Sequence, residues 1–166
     1  MKFTIVIIVL LTVIASSVFA QETPVKIEGK HKIKDEAAIQ KVVAYAWNGW
    51  SKGEPDQAVT EYTNDAYWLN AFGIEKHGKA EIKTFLTDIL ARPGFRAGRS
   101  QIPTHIVLIR FIRPDVASVQ TYSESIGQID KNGKPVGQRK PYIFRIMTKL
   151  KGKWLTESFR VMDVRQ

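Results

Sequence analysis

The chain has 166 residues, of which 44% are hydrophobic and none is cysteine, and a formal net charge of +9 at pH 7. That length suits one domain with a substantial core, and the missing cysteines exclude disulfides, a lipid-anchored cysteine and cysteine-based metal sites. The basic excess raises nucleic acid as a partner, but Lys131, Lys134, Lys149, Lys151 and Lys153 fall at expected turns and strand ends. No basic recognition helix or RNA-binding aromatic motif accompanies them, so nucleic acid is not expected as a partner.

Residues 1–20 read as a signal peptide. Lys2 is a short basic start, Ile5 to Ile14 is an apolar run broken only by Thr12, and Val18-Phe19-Ala20 supplies small residues at a cleavage site before Gln21. The run is short for a transmembrane helix. The reading is a periplasmic or secreted protein without stable membrane insertion after cleavage. Gln21 to Ile33 is polar and aperiodic, hence a flexible lead, and the domain runs from 34 to 166.

Asp35 and Glu36 mark the start of a first helix. Ala38, Val42, Tyr45 and Gly49 form one spacing series on it, and Ile39, Val43, Trp47 and Trp50 the adjacent one. Gly53 ends it and Pro55 opens a short second helix. A strand from Asp65 to Gly73 alternates, which puts Trp68, Asn70 and Phe72 on one face. An amide between two aromatics on the face under Trp47 and Trp50 suits an apolar pocket with one polar group.

A third helix follows Gly78, with Ile82, Phe85, Leu86, Ile89 and Leu90 on its buried face, and Arg92-Pro93-Gly94 stops it. Everything after Arg99 reads as strand: Thr104 to Arg113, Val116 to Ser125, Gln138 to Lys149 and Trp154 to Val164, with a turn at Asp130-Lys131-Asn132-Gly133. Helices first and strands later give an α+β fold.

The run Ala46-Trp47-Asn48-Gly49-Trp50, then Gly53-Glu54-Pro55-Asp56, Tyr62-Thr63-Asn64-Asp65-Ala66 and Asn70-Ala71-Phe72-Gly73, resembles the opening of a nuclear transport factor 2-like domain. Within that superfamily it is most similar to the SnoaL-like, SgcJ/EcaC-type branch. The resemblance implies a cone of three N-terminal helices packed on a curved, mostly antiparallel sheet, with a cavity between them. It also implies a homodimer paired through the outer face of the sheet.

Asn70 resembles, in position, the general-base aspartate of the ketosteroid isomerases. An amide cannot abstract a proton, and Ala46 and Ile146 stand near where that family keeps its other two groups, so steroid-isomerase chemistry is not expected. Asn70 remains a candidate for orienting a ligand or for a purely structural role. Alternation puts His105 on a face with Val107, Ile109 and Phe111; if that face lines the cavity, His105 is the acid/base candidate. Tyr122 is a further candidate for the pocket wall. His31, His77 and His105 are too dispersed for a metal site, and neither a flavin nor a nicotinamide fingerprint is present, so no metal or cofactor is expected. The expected function is binding of a small apolar molecule. The alternatives are a cofactor-free lyase, isomerase or cyclase of SnoaL type, and a self-association or protein-interaction module.

Overall fold

Asp35 and Glu36 stand in the first turn of α1 (Ile33–Lys52), where carboxylates complement the positive end of the helix dipole. In this computed structural model, which describes residues 24–164, α1 ends at Gly53 in the left-handed region, with φ at 76°. Gly49 lets the next helix, α2 (Pro55–Ala58), come close: a Cβ there would lie 2.6 Å from the Ala58 amide nitrogen. A single 3₁₀ turn, Val59–Glu61, leads into the sheet. Helix α3 (Gly78–Ala91) buries Ile82, Leu86 and Leu90, the stripe that its spacing predicts. Pro93 does end α3, but it also begins a further short helix, α4 (Pro93–Arg96), that the sequence reading does not contain.

The strands are β1 (Lys26–Glu28), β2 (Tyr62–Leu69), β3 (Glu75–His77), β4 (Arg99–Arg113), β5 (Val116–Ile126), β6 (Pro141–Leu150) and β7 (Lys153–Asp163). They form one seven-stranded sheet in the order β1-β4-β5-β6-β7-β2-β3. The four long strands pair antiparallel, whereas β1 with β4 and β2 with β7 are parallel. Part of the lead expected to be flexible is therefore tied down, because Lys26–Glu28 pairs with Leu108–Arg110. The signal peptide expected at residues 1–20 lies outside the described residues.

Two apolar clusters fill the concave side. One gathers Ile39 and Val43 of α1 with Phe111, Val119, Met147 and Trp154, near the β4–β5 and β6–β7 turns. The other gathers Tyr62, Trp68, Ile82, Leu86, Ile143 and Phe159 under α3. Tyr45, placed on the buried face by its spacing, is 54% exposed; the apolar stripe of α1 is narrower and centred on Ile39, Val43 and Ala46.

Between the clusters lies a buried ionic knot. Arg145 is 1% exposed and Glu61 3%. Arg145 Nε donates to Glu61 Oε2 at 2.9 Å, and its NH1 donates to Thr121 Oγ1 at 3.2 Å. The Thr156 hydroxyl donates to the same carboxylate oxygen at 2.9 Å. Each charge is met by its opposite and by a hydroxyl, the condition under which a buried ion pair is tolerated. A second polar tie joins the helix layer to the sheet: Asp35 accepts from Trp154 Nε1 at 3.2 Å and from Lys149 Nζ. The Lys149 hydrogen bond holds the Asp35 carboxyl below the usual aspartate range, against the opposing effect of its burial.

A candidate ligand cavity at the open end

Element ends converge on a cavity of about 560 Å³. The C-terminal turns of α1 and α3, the end of β2, the start of β6 and the end of β7 all meet there, at the end of the sheet away from the β4–β5 and β6–β7 turns. The apolar wall comes first from helices. Trp47 and Trp50 lie three positions apart on α1, so their rings stack, 5.9 Å between centroids and 13° between planes. Phe95 of α4 meets Trp50 edge-on at 5.7 Å. On the sheet side, Trp68 and Phe159 sit side by side on the parallel β2–β7 pair, stacked at 5.7 Å. Arg145 holds the far side of the Phe159 ring, 4.8 Å from its centroid, so the ionic knot buttresses the wall without lining the cavity.

Of the expected pocket residues, Trp47, Trp50, Trp68, Asn70 and Phe72 do line the cavity. They do so by two different routes. Strand β2 stops at Leu69, one residue before Asn70, so simple alternation places only Trp68. Asn70 begins the tight connection to β3. Its Oδ1 accepts the backbone N–H of Phe72 at 2.9 Å and of Ile74 at 3.0 Å. The side chain thus closes the turn on itself, a common use of asparagine. Phe72 is carried by that turn, 62% exposed at the rim, with the Arg139 guanidinium 5.0 Å from its ring centre.

His105 and Tyr122 do not line the cavity. The reason is a β-bulge. The β4–β5 register shifts between Ile106 and Leu108, so Val107 is the extra residue and the parity of the strand changes there. Ile106 pairs with buried Thr121 and Ile109 with buried Val119, whereas His105 pairs with Tyr122. His105 and Tyr122 therefore occupy the outer face, in edge contact at 6.0 Å. The Tyr122 hydroxyl donates to Glu124 Oε1 at 2.6 Å, a bond that pushes the phenol up to about 12. No histidine lines the cavity among the described residues, so the acid/base role expected of His105 has no place there.

The polar rim was missed by the sequence reading. It comes from Arg96 at the end of α4, from Gln128 and Arg139 in the β5–β6 connection, and from Ser123 and Ser125 at the end of β5. The serines were legible in principle, since they share the parity of buried Val119 and Thr121. Glu75 and His77 form an exposed pair 3.9 Å apart beside Tyr67. Among the described residues no group of three His, Asp or Glu side chains is arranged to hold a metal ion.

No protein-family model matches the chain, and no curated protein matches it. Solved structures do. An uncharacterized protein with a cystatin-like fold from Caulobacter vibrioides is 18% identical over 80% of this chain and 91% of that one, with a TM-score of 0.69. A ketosteroid isomerase-like protein from Erwinia carotovora atroseptica is 15% identical over 81% and 100%, with a TM-score of 0.67. A putative scytalone dehydratase from Novosphingobium aromaticivorans is 17% identical over 80% and 85%, with a TM-score of 0.62. At such identities the likeness shows architecture alone. The chain therefore has the α+β nuclear transport factor 2-like fold, also described as cystatin-like, with helices packed on a curved, mostly antiparallel sheet.

Proposed function

We propose that this chain is an exported binding protein of the SnoaL-like branch that holds a small, largely apolar molecule in the open-end cavity. One observation carries the reading. The cavity keeps about 560 Å³ unfilled although Trp47, Trp50, Trp68, Phe95 and Phe159 all border it. Rings that large would close a purely structural core, because protein interiors pack to crystal-like density. Apolar walls with a few polar groups at one end are the usual form of a small-molecule site. Calorimetric titration with naphthamide, a neutral flat apolar probe, should give saturable binding that Trp50→Ala weakens several-fold. Binding indifferent to that change would count against the cavity, and so would failure to bind any neutral aromatic probe.

Export rests on Lys2, the Ile5 to Ile14 run and Val18-Phe19-Ala20. Mass analysis of exported protein should find a chain beginning at Gln21; intact Met1 protein in the membrane fraction would refute it. Assembly as a homodimer rests on the outer face of the sheet. There His105 pairs with Tyr122, Tyr122 with Tyr142 and Tyr142 with Met162, an unbroken row across four strands. Tyr142 is 38% exposed and Met162 55%, the kind of apolar patch that association covers. Light scattering at micromolar concentration should give twice the chain mass, and the mass of a single chain would contradict the dimer.

A further inference from the structure

We infer that the molecule held in this cavity carries a carboxylate on an aromatic ring system, and that Arg139 receives that carboxylate. The inference rests on the ligand-binding reading above and adds the chemistry of the ligand's polar end.

Arg139 stands in the β5–β6 connection, and its side chain is only 14% exposed although it lines the cavity. Its Nε and one terminal nitrogen both donate to Asp163 Oδ2, at 2.8 and 2.6 Å. That bidentate grip fixes the plane of the guanidinium. Its other terminal nitrogen reaches Gln128 Oε1 only at 3.5 Å, the outer limit of a hydrogen bond. A guanidinium has five N–H donors, so this one is oriented by its neighbours yet not saturated by them. The Phe72 ring lies 5.0 Å from it, which covers one face and leaves the donors in the plane for a ligand. A planar fork held this way matches a carboxylate.

The other charges at the site favour the same sign. Glu124 is the sole carboxylate among the described lining residues, and both its oxygens are taken, by the Tyr122 hydroxyl at 2.6 Å and by Gln138 Nε2 at 2.9 Å. It also shares the parity of Tyr122, which belongs to the outer face. Arg96 lines the mouth, exposed, next to Gly53. Asp163 offsets the charge of Arg139, so an anionic ligand is favoured by the pre-oriented, unsaturated donors of Arg139 and by Arg96 at the mouth. The flat, stacked faces of Trp47 and Trp50 supply the complement for the aromatic body.

The test compares three probes of one shape at low ionic strength, by calorimetry: naphthoate, naphthamide and naphthylmethylammonium. Wild-type protein should bind naphthoate about tenfold more tightly than naphthamide, as charge-assisted hydrogen bonds are stronger than neutral ones, and the ammonium most weakly. Arg139→Gln should abolish the preference for naphthoate over naphthamide. Asp163→Asn removes the competing carboxylate while keeping Arg139, and should sharpen the preference; it decides the matter if Arg139→Gln fails to fold. Equal binding of naphthoate and naphthamide by the wild type would overturn this inference while leaving the apolar site intact. A preference that survives Arg139→Gln in folded protein, or that weakens in Asp163→Asn, would also overturn it. Failure of all three probes to bind would remove both readings together.

Discussion

The two ends of the concave face are built from similar residues and reach opposite outcomes. At the closed end, Trp154 is 1% exposed, packed edge-on against Phe111 and bonded through its indole N–H to Asp35. At the open end, Trp47 and Trp50 stack on each other and border empty space. Glu61 and Arg145 pair in the buried knot and are further met by Thr121 and Thr156. The most deeply buried charged side chains among the described residues, Arg145 and Glu61, are therefore satisfied by one another and stand outside the cavity. Charged residues inside a cone invite a catalytic reading, but here the unfilled volume and the unsaturated donors lie elsewhere. On the proposed reading a ligand meets the open end, and the Glu61–Arg145 knot serves the fold.

Removing one half of the knot should have the largest effect on stability. Glu61→Gln leaves Arg145 buried without a counter-charge, and denaturant unfolding should show a loss of about 3–5 kcal/mol. Replacing both partners with apolar residues should recover much of it. If Glu61→Gln instead unfolds like wild type but loses naphthamide binding, the knot belongs to the site and the contrast between the two regions fails.

Tryptophans test the same contrast within the open end. Trp68 is 2% exposed, so Trp68→Ala should cost about 3–5 kcal/mol. Trp50 is only half-buried, and Trp50→Ala should stay within about 1 kcal/mol in melting while weakening the probe. A Trp50→Ala protein as destabilised as Trp68→Ala would make the cavity wall a core.

At the closed end the polar tie makes a pH prediction. Asp35 has its carboxyl lowered in the folded state, chiefly by the Lys149 hydrogen bond. Its contribution is then fully present above the ordinary aspartate range and is lost as pH falls through the depressed value. Thermal melting of Asp35→Asn should be lower than wild type at neutral pH, and the gap should narrow in acid. A gap that is independent of pH would show that the tie is not ionic.

The smallest effect separates the two roles considered for Asn70. With Oδ1 taken by the N–H groups of Phe72 and Ile74, Asn70→Ala should cost about 1 kcal/mol through the turn. Probe affinity should fall only as far as Phe72 is released. A loss of affinity with unchanged melting would restore the ligand-orienting role.

What the sequence made legible follows from periodicity. The stripe Ile82, Leu86, Leu90 and the pair Trp47, Trp50 obey helical spacing with no interruption, and both are where that spacing puts them. Along β6, Arg145 shares the buried face with Ile143 and Met147, but its partner Glu61 comes from a 3₁₀ turn remote in sequence, and no local pattern marks such a pair. His105 was misplaced because a period-two argument cannot survive an unseen bulge at Val107. Residues 21–33 look aperiodic because a strand of three residues, Lys26–Glu28, is too short to show alternation. Arg139 was invisible for a related reason: it sits in a connecting segment, and its place at the cavity depends on Asp163, far along the chain.

The indole N–H signals of the tryptophans offer the most direct measurement. Trp47, Trp50 and Trp68 line the cavity, whereas Trp154 lies in the closed end bonded to Asp35. In a nuclear magnetic resonance titration with naphthamide, the signals of Trp47, Trp50 and Trp68 should move together and saturate, while that of Trp154 stays fixed. Movement of Trp154 alone, or no movement of the three others at saturating probe, would contradict a ligand site at the open end.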